Sequence, residues 1–175
     1  MLKSRWKRAP ALSTKGVFGA LSALWLLAVP TVAAAQGAVF VVRHAERADT
    51  SADSVLSAAG HTRAMRLAVI LKDAGITQIF TTNLRRTVQT AEPVAVALKL
   101  TPTELPGDDL DALLTKLHSA ARRDRVLVVG HSNTVPEIVR RLGVSTPVTI
   151  GEEYDNLLIV IPQEGSASSL IRLRY

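Results

Sequence analysis

The chain of 175 residues has no cysteine, so it forms no disulfide and is indifferent to an oxidising compartment. That same absence leaves no site for lipid attachment to an N-terminal Cys and, with no H-E-x-x-H anywhere, argues against a zinc hydrolase. Aromatic residues are only 4%, which speaks against a carbohydrate cleft or a stacking platform for single-stranded nucleic acid. After residue 36 no repeat or low-complexity segment stands out. A hydrophobic fraction of 47% beside 21% charged residues excludes wholesale disorder, and the length suits one domain with a substantial core.

Acidic residues are also missing from positions 1–35, which carry Lys3, Arg5, Lys7, Arg8 and Lys15. The net charge of +6 therefore sits mostly there, leaving sixteen basic against fifteen acidic residues in 36–175. The body needs no polyanion to explain its charge, and no nucleic-acid partner is expected. The leader runs from that basic stretch through the apolar residues 17–29 to Ala33-Ala34-Ala35 before Gln36. This order is that of a secretory signal peptide cleaved after Ala35, and it implies a periplasmic or secreted protein. The apolar run is shorter than the roughly 20 residues of a permanent span, so membrane contact is expected only through the segment before cleavage, an uncleaved anchor being the alternative. Residues 36–175 read as the single folded domain.

Within that domain short apolar runs alternate with longer helical patterns. Ala38-Val39-Phe40-Val41-Val42 reads as a strand buried on both faces. Ser57 can cap a helix running to about Asp73, with Gly60, Ala64, Leu67 and Leu71 on one face and Gly75 ending it. Residues 78–81 form a second strand and 84–98 a second helix, interrupted or restarted near Pro93. Residues 101–107, with two prolines, read as a loop, after which Asp108 or Asp109 opens a helix bearing Leu110, Leu113, Leu114 and Leu117. Residues 126–129 form an apolar strand; Asn133 or Thr134 caps the next helix, with Pro136 in its first turn and Gly143 past its end. Strands at 157–161 and 170–173 close the chain. The alternation predicts an α/β three-layer sandwich around a mostly parallel central sheet.

Ligands of such sheets bind beyond the carboxyl ends of the strands. Three segments emerge there: Arg43-His44-Ala45-Glu46-Arg47, Thr82-Asn83-Leu84-Arg85-Arg86 and Gly130-His131-Ser132-Asn133. Two histidines and four arginines thus share one rim. Arginine offers planar, permanently charged donors to a phosphate dianion. A neutral imidazole is a good nucleophile towards phosphorus, and arginines with a second His supply positioning and charge stabilisation. The helix starts after Asn133 and near Leu84 are expected to add backbone N–H donors.

The same residues resemble those of the histidine phosphatase superfamily, with its phosphoglycerate mutase-like fold. Val42-Arg43-His44-Ala45-Glu46 is similar to the RHG/RHA motif, and Leu56-Ser57-Ala58-Ala59-Gly60 to L-S/T-x-x-G. Residues 82–91, TNLRRTVQTA, are similar to S-x-L-x-R-A-x-Q-T-A, and Val129-Gly130-His131-Ser132 to a strand-GH element. The resemblance implies His44 as nucleophile and Arg43, Arg86 and His131 as phosphate ligands. Arg47 stands where a related branch has a further phosphate-binding Arg, and Ser132 joins it as a substrate-binding candidate. It implies a phosphatase acting on small phosphomonoesters or on phosphohistidine through a covalent phosphohistidine, with no cofactor and no metal. No segment matches the family's leaving-group acid; Glu46, Glu104 and Asp108 are the candidates. Small members without that acid act on phosphohistidine, whose leaving group needs less help.

Plainer readings compete. Arg43 and Arg47 could be surface partners of Glu46 and Asp49, a kind of pair worth little. Arg85, His61 and His118 read as surface or boundary residues, and 122–125 as the complement of a helix C-terminus. Asp155 and Asn156 could reach the rim or form a turn. Gly130-His131-Ser132-Asn133-Thr134 nearly spells the G-x-S-x-G elbow, but Thr134 replaces the second Gly and no His follows Ser132. A protein that binds phosphate or a phosphorylated ligand without turnover remains the alternative on the same fold.

Overall fold

The computed structural model describes residues 37–107, 109–121 and 123–175. The expected signal segment and Asp108 lie outside the described residues. The elements are β1 (Ala38–Arg43), α1 (Ala58–Leu71), β2 (Gln78–Thr82), α2 (Arg85–Leu98), β3 (Thr103–Leu105), α3 (Leu110–Ala120), β4 (Arg125–Gly130), α4 (Thr134–Arg141), β5 (Asn156–Ile161) and β6 (Ser169–Arg174). The sheet order is β3-β2-β4-β1-β5-β6. β1, β2, β3 and β4 run parallel, whereas β5 is antiparallel to both β1 and β6, so the sheet is mixed.

The pleat divides the apolar strands between two cores, since successive side chains point to opposite faces. Val39, Val41, Val126 and Val128 pack with Leu117 of α3 and Val135, Ile138 and Val139 of α4. Phe40, Val42, Leu127 and Val129 pack with Leu67 and Leu71 of α1 and Ala91 and Val94 of α2. Helices therefore cover both faces, as the buried, continuous strands require.

Two expectations are corrected. Residues 101–107 are not wholly loop, because Thr103, Glu104 and Leu105 pair with Phe80, Thr81 and Thr82 as a short edge strand. Pro102 and Pro106 bracket it, and an edge strand tolerates flanking prolines. Pro93 does not interrupt α2, which is continuous through it. Its missing N–H forfeits one helical bond, while Ala91, Val94 and Ala95 on either side stay buried against the sheet.

The register positions the rim. Arg43 pairs with Gly130, so the residues that follow, His44 and His131, leave neighbouring strands side by side. The His44 N–H donates to the Gly130 carbonyl at 2.9 Å, carrying the ladder one step past β1. At the head of α1, Ser57 N–H donates to Glu46 O at 2.9 Å, and the Ser57 hydroxyl accepts from Gly60 N–H. A Cβ on Gly60 would stand 2.3 Å from that Glu46 oxygen, so only glycine lets the helix approach the segment behind His44.

Candidate active site

His44 and His131 are 4% and 9% exposed, and their rings meet edge to face with centroids 5.3 Å apart. His44 Nδ1 lies 2.8 Å from the Ala45 carbonyl. A carbonyl only accepts, so Nδ1 carries the ring proton and Nε2 keeps a free lone pair. Thr90 fixes the same turn, its hydroxyl accepting from Ala45 N–H and donating to Arg86 O. Burial pushes His44 down to about 4; the Ala45 hydrogen bond opposes this, and the positive fields of His131, Arg86 and Arg43 reinforce it. His131 is pushed to about 4 by burial, then by Arg86 and Arg43. At neutral pH both imidazoles are uncharged.

Arg43 and Arg86 flank them. Arg43 Nη1 donates to Gly151 O at 2.8 Å and to Glu153 O at 3.4 Å, and its guanidinium lies 4.1 Å over the Tyr154 ring. Arg86 Nη1 donates to Ala52 O at 2.6 Å, and Nη2 stands 3.5 Å from His131 Nδ1. The Nε atoms of both arginines are buried without a partner among the described residues. Two cations with unpartnered Nε donors thus stand beside an uncharged imidazole, an arrangement chemically suited to an anion.

The other expected residues fall around this centre unequally. Arg47 is exposed and bridges Leu56 where the 48–55 loop leaves the rim; its charge reaches Arg86 and, after burial, lowers that guanidinium. Ser132 is half-buried in the turn before α4. Arg85 is exposed yet not free: it grips Asp53 through side chain and carbonyl, clamping the loop that offers Ala52 to Arg86. His61 and His118 are exposed. Arg125 reaches the Ala74 carbonyl just past α1.

The two expected helix N-termini differ. Arg85 N–H goes to Asp53 Oδ1, and Asn133 makes no side-chain cap. Thr134 instead turns its hydroxyl back to accept from His131 N–H at 2.9 Å.

Among the candidate acids, Glu46 is committed to Arg63, with contacts of 2.7 to 3.0 Å. Burial alone would raise it, but the Arg63 hydrogen bonds outweigh that and hold it below the ordinary carboxylate value. It is thus a poor proton donor. Glu104 is exposed on edge strand β3. Asp155 pairs with Arg174, and Asn156 with Glu153 and Arg172, so neither is turned to the rim.

The residue that reaches the rim from there is Tyr154, which sequence reasoning missed. Its ring centroid lies 5.9 Å from that of His44. An aromatic residue among Glu-Glu-Tyr-Asp-Asn, in a chain so poor in aromatics, was the available signal.

Residues 39–107 match the model of the histidine phosphatase superfamily, branch 1. That segment runs from β1 through β3 and is less than half of the chain. A structure of the protein histidine phosphatase SixA with tungstate is 22% identical, with a TM-score of 0.64, over 78% of this chain and 96% of that one. The mycobacterial glucosyl-3-phosphoglycerate phosphatase is 14% identical, TM-score 0.63, over 79% and 98%. Its complex with inorganic phosphate aligns equally, at TM-score 0.63. No curated protein sequence matches the chain.

Proposed function

We propose that the chain is an exported, metal-independent phosphatase that transfers a phosphoryl group from a small phosphorylated substrate to His44 Nε2. The observation that carries this is the uncharged, tautomer-fixed His44 between two half-buried arginines whose buried Nε donors are unengaged. The Nε2 lone pair attacks phosphorus, the bond to the leaving atom breaks, and its electron pair departs with the leaving group. Arg43 and Arg86 hold the phosphoryl oxygens as charge spreads over them. Water then cleaves the P–N bond, releasing phosphate and neutral His44.

Of the described candidate acids, Glu46 is committed to Arg63 and Glu104 stands exposed on edge strand β3, which favours substrates whose leaving group departs with little protonation. Phosphohistidine is such a substrate, because one imidazole then replaces another. The solved relative named as a protein histidine phosphatase agrees with that choice.

Brief exposure to labelled substrate is expected to leave acid-labile, alkali-stable label on His44, with and without EDTA. A folded His44→Ala protein is expected to lose label and turnover together. Turnover by that variant at the parental rate would overturn the proposal.

A further inference from the structure

His131 offers the pocket one of two faces, an N–H or a lone pair, and the hydroxyls behind it decide which. Thr87 is fully buried, and its hydroxyl lies 2.8 Å from Leu84 O and 2.9 Å from Thr82 O. Carbonyls only accept, so the single Thr87 proton is spent on them and Thr87 Oγ1 must accept from Thr82, 2.8 Å away. The Thr82 proton is then committed too. At 3.1 Å from His131 Nε2, Thr82 Oγ1 can therefore only accept, which places the ring proton on Nε2. Arg86 agrees from the other side: its Nη2, 3.5 Å from Nδ1, can only donate, so Nδ1 is bare. The hydroxyl at 87 is this chain's own, since the motif that residues 82–91 resemble has alanine there.

We propose that Thr82 and Thr87 are positioning residues that lock the His131 proton on Nε2, so that each phosphoryl group bound takes up one proton on Nδ1. The inference rests on the phosphatase reading of the pocket. An oxygen held by Arg86 comes to lie beside the Nδ1 lone pair, and two lone pairs repel unless a proton stands between them. A monoanionic phosphate brings that proton; a dianion must draw it from solvent. The charged and titratable groups facing His131 are Arg86 from α2, Arg43 from β1 and His44 after it, with Tyr154 beyond His44. All three neighbours disfavour the imidazolium or leave it uncompensated in the empty pocket, and the bound anion reverses this. Affinity is then level while the ligand is monoanionic and falls tenfold per pH unit once it is dianionic.

The test uses the full chain carrying His44→Ala, which removes the other imidazole that could take a proton. Inorganic phosphate is titrated calorimetrically at pH 8 in buffers of different ionisation enthalpy. The lock predicts uptake of about one proton per phosphate, kept by Thr82→Ser and lost in Thr82→Val, whose ring is free to carry its proton on Nδ1. Nitrogen-15 spectra of His131 in the unliganded parent are expected to show Nε2 protonated and Nδ1 bare. Binding without proton uptake, equal uptake in Thr82→Val, or a spectrum with Nδ1 protonated overturns the lock alone. Absence of phosphate binding overturns the pocket reading as well.

Discussion

Placing two uncharged imidazoles among arginines has a stability cost on acidification. In the unfolded chain both take a proton near 6.5, whereas in the folded protein His44 and His131 resist protonation until about 4. The unfolded state thus binds more protons as pH falls through this window. Stability is complete above 6.5 and drains towards 4. Between pH 6.5 and 5 each imidazole accounts for about 2 kcal/mol at full strength, and screening at the open rim brings the pair together to about 2 kcal/mol. Carboxylates titrate mostly below this window, so the histidines are read nearly alone. Urea unfolding of the parent is expected to lose about that much between pH 7 and 5, and of a His44→Gln, His131→Gln protein much less. The exposed His61 and His118 are common to both proteins and cancel. In parallel, kcat/KM, which reports the free enzyme, is expected to keep its acid limb near 4 rather than 6.5. Identical pH slopes for the two proteins would refute the reasoning, because the burial and arginine fields invoked here could not then act on these rings.

Gly60→Ala is expected to destabilise the fold by about 1–3 kcal/mol in the same unfolding assay. Its Cβ would press on the Glu46 carbonyl, which is already held by Ser57 N–H. Export rests on the basic, apolar, small-residue order of 1–35 and predicts a mature protein beginning at or near Gln36. N-terminal sequencing of protein from the native host decides it, and a chain still starting at Met1 in the cytosol would count against it.

The strands and rim were legible because their signals are local. Continuous Val-rich apolar runs mark strands buried on both faces, and β1 and β4 appear where those runs stand. Ser57 caps α1 as its position suggested, and Gly143, at φ +90°, lies just past α4. What was not legible depends on pairing partners distant in sequence. β3 exists because β2 offers it an edge, and its three residues carry no periodicity. Tyr154 becomes part of the rim only because β5 returns antiparallel beside β1 and carries the preceding loop to Arg43. The commitment of Glu46 to Arg63 is likewise invisible seventeen residues away along the chain.

Four arginines at or near the rim fall into two kinds, and the distinction explains where positive charge is available. Arg63 and Arg85 are held by carboxylates, those of Glu46 and Asp53, so their charge is neutralised locally. Arg43 and Arg86 are held by carbonyls, those of Gly151 and Ala52, which fix the guanidinium without cancelling it. A carboxylate in either place would compete with the phosphoryl group; a carbonyl orients the fork and leaves its charge free. The adjacent pair Arg85 and Arg86 tests this directly. Arg86→Lys keeps one charge, but a lysine cannot hold Ala52 and still present a planar fork to the pocket. Its kcat/KM on an aryl phosphate is expected to fall on the order of 10²-fold, the scale of losing one transition-state donor. Arg85→Lys, whose work is to grip Asp53 on an exposed loop, is expected to fall only a few-fold, through looser placement of Ala52. Equal losses at the two positions would show that position along α2, rather than the kind of partner, sets their importance.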